Sequence, residues 1–107
     1  MTALFLAVYE TPADPNAFDR HYRHVHIPIA QRLPGLRRYV VSRDVVSVRG
    51  DPYYLVAELE WHTMEELRAA FTSEAGRATA ADAAKLQQLA TVRSMTYTAD
   101  DALPAEV

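Results

Sequence analysis

The stretch Ala3-Leu4-Phe5-Leu6-Ala7-Val8-Tyr9 decides how this chain of 107 residues is read. At the strand period of two it puts Leu4, Leu6 and Val8 on one face and Phe5, Ala7 and Tyr9 on the other, so both faces are apolar. Such a strand has to be covered on both sides. The rest of the chain is read for what supplies the two covers.

Residues 15–33 read as a helix, with Asp14 as N-cap, Pro15 in the first turn, and Phe18, Tyr22, Val25 and Ile29 recurring along one stripe. Pro28 removes a backbone hydrogen bond and is expected to kink or split that helix near Ile27, and Leu33-Pro34-Gly35 ends it. Residues 36–46 are β-branched and aromatic with arginines interleaved, a strand with one wetter face. Arg49-Gly50-Asp51-Pro52 reads as a hairpin turn, although its first three residues match a cell-adhesion tripeptide. Tyr53, Leu55, Ala57, Leu59 and Trp61 then alternate with Tyr54, Val56, Glu58 and Glu60, a third strand. Thr63 and Glu66 form a capping box for a helix to about Phe71, and Ser73 caps an alanine-rich segment ending near Leu89. Residues 91–98 alternate again as a last strand, and residues 99–107 read as a loosely held tail.

The order strand, helix, strand, strand, helix, strand predicts an α+β fold, the ferredoxin-like βαββαβ arrangement. It is a four-stranded antiparallel sheet with its helices on one face. The other face, carrying Leu4, Leu6 and Val8, would stay bare. Monomers rarely leave such a patch exposed, so a second copy is the expected cover, a homodimer through the open sheet face.

Composition narrows the function. Apolar residues make up 50% and charged residues 23%, which describes a globular chain. The length fits one domain, residues 1–107, which scaling says exposes roughly 6,000 Å² of an extended roughly 17,000 Å². That is tight for a core plus a ligand cavity of about 300 Å³ or more. Cysteine is absent, which removes disulfides, thiolate metal sites and cysteine nucleophiles. A net charge of -3 offers no basic face for nucleic acid, and no apolar run approaches the roughly 20 residues of a membrane span. A cytoplasmic protein is expected, and the preference for Arg over Lys with abundant Ala points to a GC-rich bacterial genome.

The segment His21-Tyr22-Arg23-His24-Val25-His26-Ile27-Pro28 is the most informative for chemistry. His24 faces water on the helical wheel, His21 flanks the apolar stripe, and His26 lies at its edge one turn after Tyr22. Two readings of His26 stand side by side: a general acid or base in a half-buried cleft, or a structural histidine satisfied at the Pro28 kink. The histidine spacings do not converge on a metal, and there is no HExxH-like pattern, phosphate loop, nucleophile elbow or dinucleotide fingerprint, so no metal or nucleotide cofactor is indicated. Haem ligation by His26 has nothing specific behind it. Tyr9, Tyr22, Tyr39, Tyr53, Tyr54, Trp61 and Tyr97 are a rich aromatic set that packing largely accounts for, yet it would also suit an apolar ligand with a few polar anchors. Glu58, between apolar neighbours, either pairs with an arginine or is a poised carboxylate.

The run Phe18-Asp19-Arg20-His21-Tyr22-Arg23-His24-Val25-His26-Ile27-Pro28-Ile29, closed by Leu33-Pro34-Gly35-Leu36-Arg37-Arg38-Tyr39, resembles the signature of the EthD family of dimeric α+β barrel proteins. Ala57-Glu58-Leu59-Glu60-Trp61 resembles that family's third strand, and Ser73-Glu74-Ala75-Gly76 leading to Ala81-Asp82-Ala83 its second helical region. The resemblance implies a homodimer whose sheets pack face to face, with a ligand cleft in each subunit between sheet and helices. It also implies a functional role for His26, and matches Tyr39, Glu58 and Asp82 to other recurrent positions. The family and its relatives include a protein linked to alkyl ether degradation beside a cytochrome P450 system, decarboxylases of fungal polyketide pathways and a muconolactone methylisomerase, none of which implies a metal or nucleotide. The methylisomerase type uses a cysteine, which this chain lacks.

The expected function is then a cofactor-independent enzyme for an apolar, oxygenated, cyclic or aromatic molecule. His26 would move a proton, Tyr22 and Tyr39 would orient the substrate oxygen, and Trp61, Glu58, Asp82 and Tyr9 would help form the pocket. The alternative is a non-catalytic carrier or accessory to an oxygenase.

Overall fold

The computed structural model describes residues 2–103. Strand β1 (Thr2–Tyr9) leads to α1 (Pro15–His21), a π-helical turn (Tyr22–His26) and α2 (Ile27–Ala30). β2 (Arg38–Val41), β3 (Leu55–Trp61), α3 (Met64–Thr72), α4 (Glu74–Gln87) and β4 (Val92–Ala99) complete the described chain. The sheet runs in the order β2-β3-β1-β4 with every pairing antiparallel, which is the ferredoxin-like α+β fold.

The two-sided first strand sits where its composition demands, inside the sheet between β3 and β4. Ala3, Ala7 and Tyr9 belong to a core shared with Leu55, Ala57, Leu59 and Trp61 of β3 and with Phe18, Tyr22, Leu67 and Leu86 of the helical layer. The helices therefore cover one face only. Leu4, Leu6, Val40, Val56, Met95 and Tyr97 share the other face by register, and Met95 and Tyr97 are exposed. The chain alone exposes 7473 Å², more than the roughly 6,000 Å² that scaling gives for a well-covered monomer of this mass.

Helix starts follow the caps in the sequence: Asp14 accepts from Ala17 N–H, Thr63 from Glu66 N–H and Ser73 from Gly76 N–H. At Gly76 the first turn of α4 crosses α3 so closely that a Cβ there would collide with the backbone of Ala70 and Phe71. This corner fixes where α4, and so Asp82, lies.

Two expectations about the strands need correction. The strand expected over residues 36–46 is only Arg38–Val41, because Asp44 takes a left-handed backbone (φ 52°) that ends the ladder just after Ser42 bonds to Val56. Residues 42–54 are thus a long loop and Arg49-Gly50-Asp51 is part of it, with Val46 and Val48 projecting outward. The alternation expected from Tyr53 onward begins only at Leu55: Tyr54 swings to the helix side, edge-on to Phe18 and donating to Asp19. In the expected tail, Ala99 closes β4, residues 100–103 are exposed, and residues 104–107 lie outside the described residues.

Candidate functional site

Pro28 shapes the site. Its ring cannot sit against the carbonyl four residues earlier in a regular helix, and the chain answers with the π-helical turn, closed by Ile27 N–H donating to the Tyr22 carbonyl. In an uninterrupted α-helix His21 and His26 would point roughly 140° apart. The wider turn carries those five residues through little more than one revolution, so both imidazoles face α4. There they meet Asp82. His26 Nδ1 lies 2.8 Å from Oδ2 and His21 Nε2 lies 2.9 Å from Oδ1.

The same turn rewrites the buried stripe. Phe18, Tyr22, His26 and Ala30 face inward at steps of four, while Val25, expected in the stripe, is 39% exposed. His26 takes the place that regular periodicity would give Val25. It is 6% exposed and Asp82 3%, so the pair is inside the protein.

Burial pushes the His26 imidazole below its ordinary proton affinity, against the upward pull of the hydrogen bond and charge of Asp82. Burial alone would raise the Asp82 carboxyl, but bonds from two imidazoles outweigh it and hold the group ionised, below the usual carboxylate range. An ionised Asp82 accepts the Nδ1 proton of neutral His26, which leaves the Nε2 lone pair free. That nitrogen is not sealed in, since among the described residues every buried side-chain nitrogen and oxygen has a partner.

Two phenols stand beside the imidazole. The Tyr22 and Tyr39 hydroxyls are 2.7 Å apart, and the Tyr22 ring packs 5.3 Å from that of His26. Burial, with Tyr39 beside it, raises Tyr22 far above the normal phenol range. Tyr39 is pushed up to about 12 by burial, moderated by its bond to Tyr22. Whichever hydroxyl donates within the pair, one of the two phenol protons is left for another acceptor. Tyr9, edge-on to Tyr22, is likewise kept protonated by burial.

These groups line a cavity of about 330 Å³ between the sheet and the helices. The space exists because three of the residues of α4 that face it, Ala80, Ala83 and Ala84, stop at Cβ. Phe5, Leu59, Phe71 and Val92 supply apolar wall, and Thr79, Gln87 and Ser94 add neutral polar groups. Among the described residues no Asp, Glu, Lys or Arg lines it.

The structure brings His26, Tyr22, Tyr39 and Tyr9 to this cavity, with Asp82 behind His26. It does not bring Trp61 or Glu58. Trp61 is wholly buried under the Leu33-Pro34-Gly35 turn, donating to the Pro34 carbonyl at 2.9 Å, so it is core rather than pocket wall. Glu58 points to the open face of the sheet, opposite Leu6 and Val40, is exposed, and forms no ion pair among the described residues. Strand parity decides this, because Ala57 and Leu59 hold the cavity side. The sequence reading gave His21 no role; the signal was its five-residue spacing to His26 just ahead of a proline. Among the described residues no group of three or more His, Cys, Asp or Glu is arranged to hold a metal ion. No helix of the described residues is long and apolar enough to cross a membrane.

The chain is similar to several known proteins in sequence and fold. The model of the EthD domain matches residues 10–89. An uncharacterized 11.0 kDa protein in the thcB-thcC intergenic region of Rhodococcus erythropolis is 39% identical over 79 residues, 72% of this chain and 76% of that protein. The crystal structure of an ethyl tert-butyl ether d (EthD) family protein from Bacillus halodurans has a TM-score of 0.78 at 36% identity, covering 89% of this chain and 97% of its own. SnoaB from Streptomyces nogalater, a cofactor-independent oxygenase, shares the fold at a TM-score of 0.70 and 21% identity, over 97% of this chain and 98% of its own. With three quarters of its length matched by the domain model and with relatives above a third identical, this chain belongs to the EthD family.

Proposed function

We propose that this protein binds a small, uncharged, apolar molecule carrying an oxygen, cyclic or aromatic in shape, in the cavity, and exchanges a proton with it through Nε2 of His26. The observation that carries this is the His26–Asp82 bond at the wall of a largely apolar cavity whose other polar lining groups are neutral. A carboxylate on Nδ1 fixes the ring tautomer and supports the imidazolium that forms when Nε2 takes a proton. Tyr39 is the donor for the ligand's oxygen in this proposal, and Tyr22, 2.7 Å from it, holds it in place. The lack of a lining charge favours a neutral ligand, because an ion would lose its water with nothing to replace it.

The working form in this proposal is a homodimer through the open sheet face. Its apolar side chains support that reading, as do related folds described as dimeric. Sedimentation at micromolar concentration should give twice the monomer mass.

Native mass spectrometry of freshly purified protein, followed by return of the released ligand in D2O, tests the function. The expected result is a retained neutral molecule that gains deuterium with the wild type and at least about 100-fold more slowly with His26→Gln. Retention with no enzyme-dependent exchange would make the protein a carrier. Failure to retain or bind any small apolar molecule would overturn the binding site as well.

A further inference from the structure

One carboxylate serves two imidazoles whose surroundings differ. His26 lines the cavity, whereas the His21 side chain is 24% exposed at the end of α1. We propose that His21 and His26 hold a single proton between them, so that a proton taken up from the cavity by His26 is matched by one released to solvent from His21. This extends the proton exchange proposed for His26, but it concerns the unliganded protein and stands or falls without a ligand.

The argument is one of charge. Asp82 stays ionised, and one negative charge balances one imidazolium. A second imidazolium would leave net positive charge in a largely dry cluster, a separation on the order of one pH unit or more between the two protonation steps. Burial disfavours a charge on His26, which stays neutral with its Nε2 lone pair on the cavity. The charge of His21 adds to the effect of burial in lowering the proton affinity of His26.

The balance is simple. A proton leaves the ligand for His26 Nε2, and His26 keeps its Nδ1–H bond to Oδ2. His21 loses the proton on Nδ1 to water and keeps its Nε2–H bond to Oδ1. No proton passes through the carboxylate, so Asp82 remains ionised throughout. The other titratable groups around the cavity are Tyr9 from β1, Tyr22 from the π-helical turn and Tyr39 from β2, all held protonated by burial. Asp82 from α4 is the one carboxylate paired with either ring among the described residues.

The test is an NMR titration of the imidazole ring signals of the unliganded protein. In the wild type, His26 should take its proton second, with a small inflection in its curve as His21 titrates. His21→Gln, whose amide retains a donor for Oδ1, should raise the His26 midpoint by about one unit or more. A His26 midpoint unmoved by that substitution would overturn the proposal. If the variant does not fold, the wild-type curves decide alone: two independent single-step titrations would also overturn it.

Discussion

Nδ1 of His26 lies 2.8 Å from Oδ2 of Asp82, and both side chains are buried, one on the π-helical turn and the other on α4. Two elements far apart in the chain are tied at the wall of the cavity by this bond. Asp82→Asn exchanges an acceptor of two imidazole protons for an amide that can accept at one atom only. The expected cost is about 1.5–3 kcal/mol, the range for hydrogen bonds to charged groups. Chemical denaturation at fixed protein concentration measures it, and proton exchange with the ligand should slow at least about tenfold because the Nε2 basicity falls.

The phenol pair predicts an asymmetry. Tyr22 is 1% exposed, and its hydroxyl bonds to Tyr39. Tyr39→Phe leaves that hydroxyl buried without its partner and should cost about 1–3 kcal/mol. Tyr22→Phe leaves Tyr39 free to turn towards the cavity and should cost less than about 1 kcal/mol. Urea unfolding of the two variants checks the order, and equal losses would mean the bond is not the controlling term.

Ala83 of α4 faces the cavity with a side chain of one carbon. Ala83→Leu fills space without leaving the helix-forming residues, so it should change stability by less than about 1 kcal/mol. Ligand retention in native mass spectrometry should be lost. A variant that still holds the ligand would place it elsewhere.

Acid should destabilise the fold in two steps. The folded proton affinity of His26 lies below its ordinary 6.5 and that of Asp82 below its ordinary 3.8. In both cases the unfolded chain binds more protons in the interval between the two values, so stability rises with pH there. The His26 contribution is therefore full above about pH 6.5 and is lost as pH falls below it, and the Asp82 contribution is lost below about pH 4. Each unit by which His26 is lowered corresponds to about 1.4 kcal/mol. Melting temperatures between about pH 7.5 and pH 5 at constant concentration should fall in the wild type, and the fall should flatten in His26→Gln.

The sequence by itself determined the sheet, its one-sided helical cover and the bare second face, because the period-two pattern of residues 3–9 and 55–61 and the caps at Asp14, Thr63 and Ser73 are local signals that the packing had no reason to override. It also drew attention to His26 and placed a break at Pro28. What only the tertiary structure decided was the chemistry around that break. A wheel drawn at 3.6 residues per turn cannot show His21 and His26 on one side, because the widening of the turn is the backbone's response to the proline, and their meeting with Asp82 depends on how closely α4 crosses α3 at Gly76. Strand parity removed Glu58 from the site, and the turn at Gly35 took Trp61 into the core. The cavity was illegible for a related reason. The alanines of α4 read as good helix formers, and only the sheet facing them turns their missing side chains into a space of about 330 Å³.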